Sequence, residues 1–267
     1  MMPQRPVVVN CGNLQILGAD TARHAPDSGL PRRPARSAPA TDVNYSAHHR
    51  RSSTIHLASH TKSDTLKASA VGVLHTKLVS NRRVKVLANW FARLLPSGVR
   101  VLDVGCGDGM ISALLQQQRP DISVQGIDVL TRAQTHIPVE IFDGSSFPFA
   151  SASFDIVMFS DVLHHTADAR ILLREARRTA KQHVLIKDHF REGLAANTRL
   201  RFMDWVGNAR FGVALPYNYW TRQQWQAAWQ LIGLQPEQLV TKLGLYPKPA
   251  DWIFGAELHF IALLKQT

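Results

Sequence analysis

Three alternate glycines, with one aspartate before them and one among them, form the stretch best suited to ligand chemistry. Gly105, Gly107 and Gly109 would bring backbone N–H groups close to a ligand, because glycine lacks a Cβ and readily adopts positive φ angles. Asp103 precedes this turn and Asp108 lies within it. Two carboxylates would repel a diphosphate and attract a cation. The residue types therefore predict recognition of a positively charged ligand.

The elements on either side of this turn are predicted to position it. The run 99–104 is apolar and β-branched, which is typical of a buried parallel strand. The residues after the turn, Met110, Ile111, Leu114 and Leu115, form an apolar stripe with helical spacing, which Pro120 stops. A strand, a glycine turn and a helix together point N–H groups at a ligand. The third glycine comes one place too early for the dinucleotide pattern G-x-G-x-x-G.

The spacing of Asp103, Gly105, Gly107 and Gly109 resembles motif I, D-x-G-x-G-x-G, of the class I S-adenosylmethionine-dependent methyltransferases. The resemblance covers about residues 80–265 and favours the small-molecule (type 11-like, UbiE-like) branch. It implies an α/β, Rossmann-like sheet of seven mostly parallel strands, with helices on both faces and the last strand antiparallel. It also implies that S-adenosyl-L-methionine is the cofactor, held by Asp103, Gly105, Cys106, Gly107 and Gly109.

Two further acids follow predicted strands. The strand predicted at 122–127 ends in Asp128, where a carboxylate could accept hydrogen bonds from ribose hydroxyls. Taken alone, Asp128 could instead cap a following helix. Asp143-Gly144 follows the strand predicted at 138–142 and resembles the adenine-binding loop of the family, although an ordinary Asx turn is an equal alternative. We assign Asp128 with Val129, and Asp143 with Gly144, to the cofactor.

A pair of histidines follows the fourth predicted strand, 154–160. The segment from Ser160 through His164 and His165 resembles motif IV of the small-molecule branch. We expect Ser160 to lie at the cofactor and one histidine, His165 or His164, to be the general base, because imidazole accepts protons near pH 7. The alternative is that both histidines are scaffold residues. Asp188 and His189, at the end of the fifth strand (183–187), are weaker candidates.

The C-terminal third adds a region rich in aromatic residues. We expect an inserted cap at about 190–220, which in the resembled family covers the acceptor pocket, so the acceptor should have apolar or aromatic surface. Core filling is the competing interpretation. Thr221 and Gln224 form a capping box for a helix that ends at Gly233. Two final strands are predicted at 239–245 and 258–264.

Composition limits the alternatives. The 267 residues carry a formal net charge of +11, but the basic residues are spread over predicted helix faces, so nucleic acid is not the expected partner. Cys11 and Cys106 are the two cysteines, which favours a reducing compartment and a cytoplasmic location. Neither a secretory signal nor a run long enough to span a membrane is evident. No metal site is expected, and the oligomeric state stays open.

Residues 1–65 have many Pro, Ser, Ala and Arg residues without a helical or strand period, which predicts a disordered basic tail before a methyltransferase domain at 66–267. The predicted activity is transfer of a methyl group to a small-molecule or lipid-like acceptor, with O- or C-methylation favoured. The open alternatives are a non-catalytic S-adenosylmethionine-binding or regulatory protein and, less favoured, a NAD-dependent enzyme or an RNA or protein methyltransferase.

Overall fold

A computed structural model describes residues 9–10, 81–130, 132–208, 216–248, 250–255 and 257–267. The helices are α1 (81–94), α2 (Met110–Gln118), α3 (Ala169–Thr179), α4 (Ala196–Asn208) and α5 (Arg222–Ile232), with a 3₁₀ turn at Leu163–His165 and a π turn at Asp251–Gly255. The strands are β1 (Val9–Asn10), β2 (Arg100–Val104), β3 (Ser123–Asp128), β4 (Val139–Ile141), β5 (Phe154–Ser160), β6 (Ala180–His189), β7 (Leu234–Val240) and β8 (His259–Gln266).

All the strands form one sheet, in the order β1-β7-β8-β6-β5-β2-β3-β4. Strands β2 to β6 are parallel, whereas β8 runs antiparallel to both of its neighbours, β6 and β7. The predicted seven-stranded α/β sheet with its last strand antiparallel is therefore confirmed. The two-residue β1 is an additional antiparallel strand that pairs Val9 with Leu239. It belongs to the predicted tail, and the rest of 1–65 lies outside the described residues.

The strand order determines where a ligand could bind. The chain proceeds from β2 outward to β3 and β4, and then returns to β5 on the other side of β2. In open α/β sheets, ligands bind beyond the carboxyl ends of the strands at such a reversal. The glycine turn follows β2, and the two histidines follow β5. The topology therefore brings both motifs to the same edge of the sheet.

Two apolar layers hold the sheet between helices. Because side chains alternate along a strand, Leu102 packs in the layer beneath α3 and α5, whereas Val101 packs in the layer beneath α1 and α2. The first layer contains Trp225 and Trp229 of α5. The indole of Trp225 also donates a hydrogen bond to the carbonyl of His189 at 3.0 Å, which fixes the carboxyl end of β6.

The helix ends follow the local sequence. The predicted capping box of α5 is confirmed, since the Thr221 hydroxyl accepts from the Gln224 N–H at 3.2 Å and the Gln224 side chain accepts from the Thr221 N–H at 2.8 Å. Gly233 ends this helix in the left-handed conformation, with φ of 74°. At α3, Asp168 is the N-cap and accepts from the Arg170 N–H.

The strand predicted at 239–245 is wrong in position, because β7 covers Leu234–Val240 instead. The polar residues of β7 and Pro236 interrupt the apolar pattern from which a strand is predicted. They are tolerated because β7 has only the short β1 beyond it, and a register shift between Pro236 and Gln238 accommodates the missing N–H. Leu243 and Leu245 are buried in the connection that follows.

None of the helices among the described residues is both long and apolar enough to cross a membrane.

Candidate functional site

The glycine turn after β2 contains three residues with positive φ, at 69° for Gly105, 61° for Gly107 and 76° for Gly109. A Cβ on Gly105 would lie 2.6 Å from Val162 Cγ2, and a Cβ on Gly109 would lie 2.4 Å from Ile137 Cγ1. A Cβ on Gly107 would meet no atom within 4 Å. Two of the glycines are thus required by close packing, whereas the third faces open space that a ligand could fill.

Asp128, at the end of β3, is bonded to the glycine turn. Its Oδ2 accepts from the Gly107 N–H at 2.8 Å, and its Oδ1 accepts from the Leu130 N–H at 2.9 Å. Each carboxylate oxygen has a second lone pair, so the side chain can still accept from a vicinal diol. Between Asp128 and β4 the described residues contain no helix, which removes the helix-cap explanation.

Asp103 is buried at the end of β2, next to α2. Its Oδ2 accepts from the Ser112 hydroxyl at 2.6 Å, whereas its Oδ1 is buried without a hydrogen-bond partner among the described residues. Burial raises the pKa of Asp103 to about 7; the Ser112 bond opposes this rise, and the charge of Asp128 adds to it. A buried carboxylate oxygen without a partner is costly, and a cationic donor would relieve that cost.

A cavity of about 480 Å³ connects the glycine turn to the segment after β5. Gly105, Val129 and Gly144 line one side, while Val162 and His165 line the other. This volume is typical of a small-molecule site. The structure therefore brings four of the predicted site residues together around one cavity: Gly105, Val129, Gly144 and His165.

Asp143 lies next to Gly144 but does not line this cavity. It is exposed, and its Oδ1 accepts from the N–H groups of Ser145 and Ser146, both at 2.7 Å. These backbone hydrogen bonds lower the pKa of Asp143. The geometry is that of an Asx turn, which was the alternative to a role in adenine binding.

Two other predicted cofactor residues are largely internal. The Sγ of Cys106 would lie 2.5 Å from a Cβ on Gly126, so the thiol packs closely on β3. Burial, followed by the charges of Asp103 and Asp128, raises the pKa of this thiol. The hydroxyl of Ser160 is buried without a hydrogen-bond partner among the described residues.

The two histidines differ in environment, although their ring centroids are only 4.2 Å apart. His165 lines the cavity, whereas His164 is buried, with its Nδ1 2.7 Å from Asp188 Oδ1. Burial by itself would lower the pKa of His164, but the charges of Asp188 and Asp204 outweigh it and raise this pKa to about 9. His164 is therefore a protonated partner of Asp188 at neutral pH and is poorly suited to be a base.

Asp204 and Tyr219 also reach this cluster, and the sequence analysis did not identify either of them. The Tyr219 hydroxyl donates to Asp204 Oδ2 at 2.9 Å, and the Tyr219 ring stacks on His164 with a centroid distance of 5.1 Å. One sequence signal could have indicated Asp204: it follows Ala196 and Leu200 at four-residue spacing, so it continues the inward stripe of α4.

A second set of ion pairs joins the histidine cluster. Asp161 contacts both Arg83 of α1 and Lys187 of β6, and the Lys187 Nζ lies 3.2 Å from His259 Nδ1. Burial lowers the pKa of Lys187 well below its usual value, the charge of Arg83 lowers it further, and the charge of Asp188 opposes both.

Donor atoms of Asp161, His164, Asp188 and His189 lie within 4.8 Å of one another, which is close enough for a metal site. However, Arg83 and Lys187 already balance Asp161, so the arrangement is that of an ion-pair network.

Comparisons with known proteins give a consistent result. A family model described as a methyltransferase domain matches residues 79–239. An uncharacterized methyltransferase from Mycobacterium tuberculosis is 39% identical over 88 residues, which are 30% of this chain and 45% of that protein. The 27-O-demethylrifamycin SV methyltransferase of Amycolatopsis mediterranei is 29% identical over 110 residues, which are 36% of this chain and 40% of that enzyme. The chain therefore spans less than half the length of these curated relatives.

Among solved structures, a chain from the Haloferax volcanii complex of the Trm112 methyltransferase activator with a methyltransferase aligns with a TM-score of 0.52. The identity is 16%, and the alignment covers 78% of this chain and 99% of that chain. At this level of identity, the similarity concerns the fold.

Proposed function

This chain belongs to the methyltransferase-domain family, and we propose that it transfers the methyl group of S-adenosyl-L-methionine to a small-molecule or lipid-like acceptor. O- or C-methylation is the favoured chemistry. The observation that carries the proposal is the cavity that Gly105 of the glycine turn and His165 both line. In the same turn, Gly107 has no atom within 4 Å of a Cβ position and donates its N–H to the buried Asp128.

The residues present fit this cofactor. Asp128 has lone pairs left for the ribose hydroxyls, and Asp103 Oδ1 lacks the donor that an ammonium group would provide. Val129 and Gly144 would contact the adenine, with Asp143 beside them. When bound, the cofactor supplies a methyl group that its sulfonium has already activated. The negative charge near the glycine turn suits that cation and disfavours a nicotinamide dinucleotide.

The chain must then hold the acceptor in line with the methyl carbon, which is an effect of proximity and orientation. If the acceptor atom is a hydroxyl oxygen or an acidic carbon, a base must take its proton. We assign this role to His165, because it lines the cavity, whereas His164 is held in an ion pair with Asp188. An amine or thiolate acceptor would need no base.

The surroundings of the site favour an acceptor with apolar surface. A second cavity of about 440 Å³ is lined by residues of the β7–β8 connection, among them Leu243, Leu245 and Trp252 but also Lys242, Asp251 and Glu257. On α4, Phe202 and Trp205 are 53% and 57% exposed. Residues 190–208 and 216–220 of the proposed cap are described, and 209–215 lie outside the described residues. The methyltransferase from Amycolatopsis mediterranei acts, by its name, on 27-O-demethylrifamycin SV.

Calorimetry with S-adenosylmethionine and with its demethylated product tests the cofactor assignment directly. We expect one-to-one binding of both, together with a rise in melting temperature. The Asp128→Ala variant should bind at least about tenfold more weakly, because each lost hydrogen bond to a charged group costs about 1.5–3 kcal/mol. Absence of both heat and thermal stabilisation with either compound would refute the proposal.

Mass spectrometry of small molecules that co-purify with the protein, followed by assays of methyl transfer to them, addresses the acceptor. Binding of the cofactor without transfer to any acceptor in a broad panel would favour the non-catalytic alternative.

A further inference from the structure

Asp204 occupies a position where an apolar residue is expected. The inward stripe of α4 is Ala196, Leu200 and Asp204, and all three are buried, whereas Phe202 and Trp205 on the same helix face outward. Burying a carboxylate is costly unless partners compensate. The orientation of α4 therefore points the carboxylate of Asp204, rather than the indole of Trp205, toward the residues packed beneath the helix.

The partners of Asp204 are in the histidine cluster. Its Oδ2 accepts from the Tyr219 hydroxyl at 2.9 Å. Its Oδ1 lies 3.5 Å from His165 Nε2 and 3.8 Å from His164 Nε2, so this oxygen is shared between the two imidazoles. Burial opposes ionisation, but the contact with His164 and the charges of both histidines lower the pKa of Asp204. The side chain is therefore an anion at neutral pH.

The carboxylate nearest to the ring differs between the two histidines. His164 is paired through its Nδ1 with Asp188 at 2.7 Å, and Tyr219 stacks on its ring. His165 faces Asp204 through its Nε2, at ion-pair distance. Because His165 also lines the cofactor cavity, its ring joins the cap helix to the site of the proposed reaction.

We propose that Asp204 is a positioning residue for methyl transfer, in which the cap helix supplies the carboxylate that orients the His165 ring and stabilises its protonated form. This inference rests on the proposed function, in which His165 is the base. The acceptor O–H or C–H bond breaks, its proton goes to His165, and the freed electron pair forms the bond to the methyl carbon. The electrons of the methyl–sulfur bond leave with sulfur. Asp204 stays ionised throughout and takes up no proton.

The contact with Asp204 also sets the tautomer of His165. A carboxylate facing Nε2 favours the neutral form whose proton is on Nε2, which leaves the basic lone pair on Nδ1. Nδ1 is buried in this structure, so proton transfer to it requires the acceptor to uncover this atom on binding. Among the described residues, charged or titratable groups near His165 include His164 on the same turn and Asp168 on the cavity wall, with Asp188 and His189 of β6 behind His164. They are unchanged in a variant at position 204, so such a variant isolates the effect of Asp204.

The experiment is an NMR titration of the ¹⁵N-labelled histidine rings in the full chain, with the His165 signals assigned by loss in His165→Gln. The wild-type protein should show the tautomer protonated at Nε2. Asp204→Asn is isosteric but uncharged, and it should move the His165 titration midpoint down by at least 0.5 pH unit, since a nearby anion favours the imidazolium. Asp204→Glu should stay closer to the wild type.

The matched control is Asp155→Asn, at the opposite end of β5, which should leave the His165 midpoint unchanged. Calorimetry with S-adenosylmethionine should give affinities within about twofold for the wild type and Asp204→Asn, because Asp204 is not part of the cofactor cradle. An unchanged midpoint in a folded Asp204→Asn protein would overturn the inference. If that variant does not fold, the wild-type spectrum decides, since a tautomer protonated at Nδ1 would overturn it equally.

With an acceptor identified, Asp204→Asn should move the acidic limb of the rate profile to lower pH and reduce kcat at least about tenfold, with little change in KM for the cofactor. A midpoint shift combined with full turnover by His165→Ala would refute the base assignment and leave the Asp204–His165 contact standing. Failure of the base assignment can therefore be distinguished from failure of the proposed effect of Asp204 on His165.

Discussion

At the scale of single residues, the two acids of the proposed cofactor site differ in their hydrogen-bond partners. Asp128 accepts two backbone hydrogen bonds, whereas Asp103 has one buried oxygen without a partner among the described residues. The two carboxylates therefore have different roles, although both follow parallel strands. Asp128 holds the glycine turn to β3, and Asp103 carries an unfavourable energy that a cationic donor would relieve.

The Asp103→Asn variant should be more stable than the wild type at high pH but should bind S-adenosylmethionine more weakly. The pKa of Asp103 is about 7 in the folded state, so the ligand-free protein retains a proton that the unfolded chain releases above about pH 4. Wild-type stability should consequently fall from about pH 4 to about pH 7, and the variant should lack this fall. At pH 8 we expect the variant to be more stable by roughly 1–3 kcal/mol, and to bind S-adenosylmethionine at least about tenfold more weakly.

Urea unfolding at pH 5 and pH 8, with calorimetry on the same samples, measures both effects. The exposed Asp108 in the same turn provides the control, since Asp108→Asn should not change the pH dependence. A wild-type stability that rises between pH 5 and pH 8 while the variant's stays flat would contradict the prediction.

His164 should make the stability of the folded protein depend on pH in a second, higher range. Its pKa is raised to about 9, so its contribution to stability is complete below about pH 6.5 and is lost as the pH rises to about 9. His164→Gln should remove this slope and destabilise the protein by about 3 kcal/mol at pH 6, because Asp188 would stay buried without its partner. Denaturation at several pH values tests this, with His136→Gln, at an exposed histidine, as the control. Equal slopes for the wild type and His164→Gln would refute it.

At the scale of elements, two short connections at the carboxyl edge of the sheet build the site. The glycine turn joins β2 to α2, and the segment from Asp161 to His165 joins β5 to α3. Asp161 has a φ of 59°, which is unusual for a residue with a Cβ, and its ion pairs with Arg83 and Lys187 hold it there. The direction of the chain after β5, and hence of both histidines, depends on those long-range ion pairs.

Alanine variants of three glycines should distinguish the effect of backbone strain from those of overlap with a neighbouring side chain and overlap with the bound cofactor. Gly98 and Gly107 have similar positive φ angles and no atom within 4 Å of a new Cβ, so each variant should lose about 1–2 kcal/mol of stability. Only Gly107→Ala should also lose cofactor affinity, by at least about tenfold, because its methyl group would enter the ligand space. Gly109→Ala should lose about 3 kcal/mol or more, since its Cβ would overlap Ile137.

Denaturant unfolding and calorimetry on the three variants give the comparison. Gly107→Ala binding the cofactor as tightly as Gly98→Ala does would show that the space over Gly107 is not the cofactor site.

At the scale of the whole molecule, the described residues 81–267 carry the sheet reversal, both cavities and the ion-pair network. The first part of the chain contributes β1, which pairs two residues with β7. The net charge of +11 is not concentrated in one motif. The site and its supporting helices therefore belong to the domain predicted at 66–267.

A shortened chain of residues 66–267 should fold and bind S-adenosylmethionine with an affinity within about threefold of the full chain. It should lose less than about 1 kcal/mol of stability, because the described residues that are removed are the two of the edge strand β1. Circular dichroism and calorimetry on both chains test this. A shortened chain that folds but does not bind would mean that residues 1–65 contribute to the site.

The sequence by itself determined the features that depend on local patterns. The strand before Gly105, the positive φ angles of the turn, the acid ending β3 and the capping box of α5 all follow from residue type and near-neighbour spacing. The family pattern then fixed the strand order. The polar strand β7 was misplaced because edge position, rather than hydrophobic pattern, stabilises it.

Only the tertiary structure decided which of two adjacent histidines faces the cavity and which is buried in an ion pair. It also brought Asp204, about 40 residues further along the chain, to 3.5 Å from His165 and stacked the ring of Tyr219 on His164. Neighbouring side chains on a tight turn point in directions set by the backbone after Asp161, and that backbone is held by distant charges. A sequence period can indicate that Asp204 faces inward, but it cannot indicate its partner, because the partners come from separate elements that meet only when the sheet is complete.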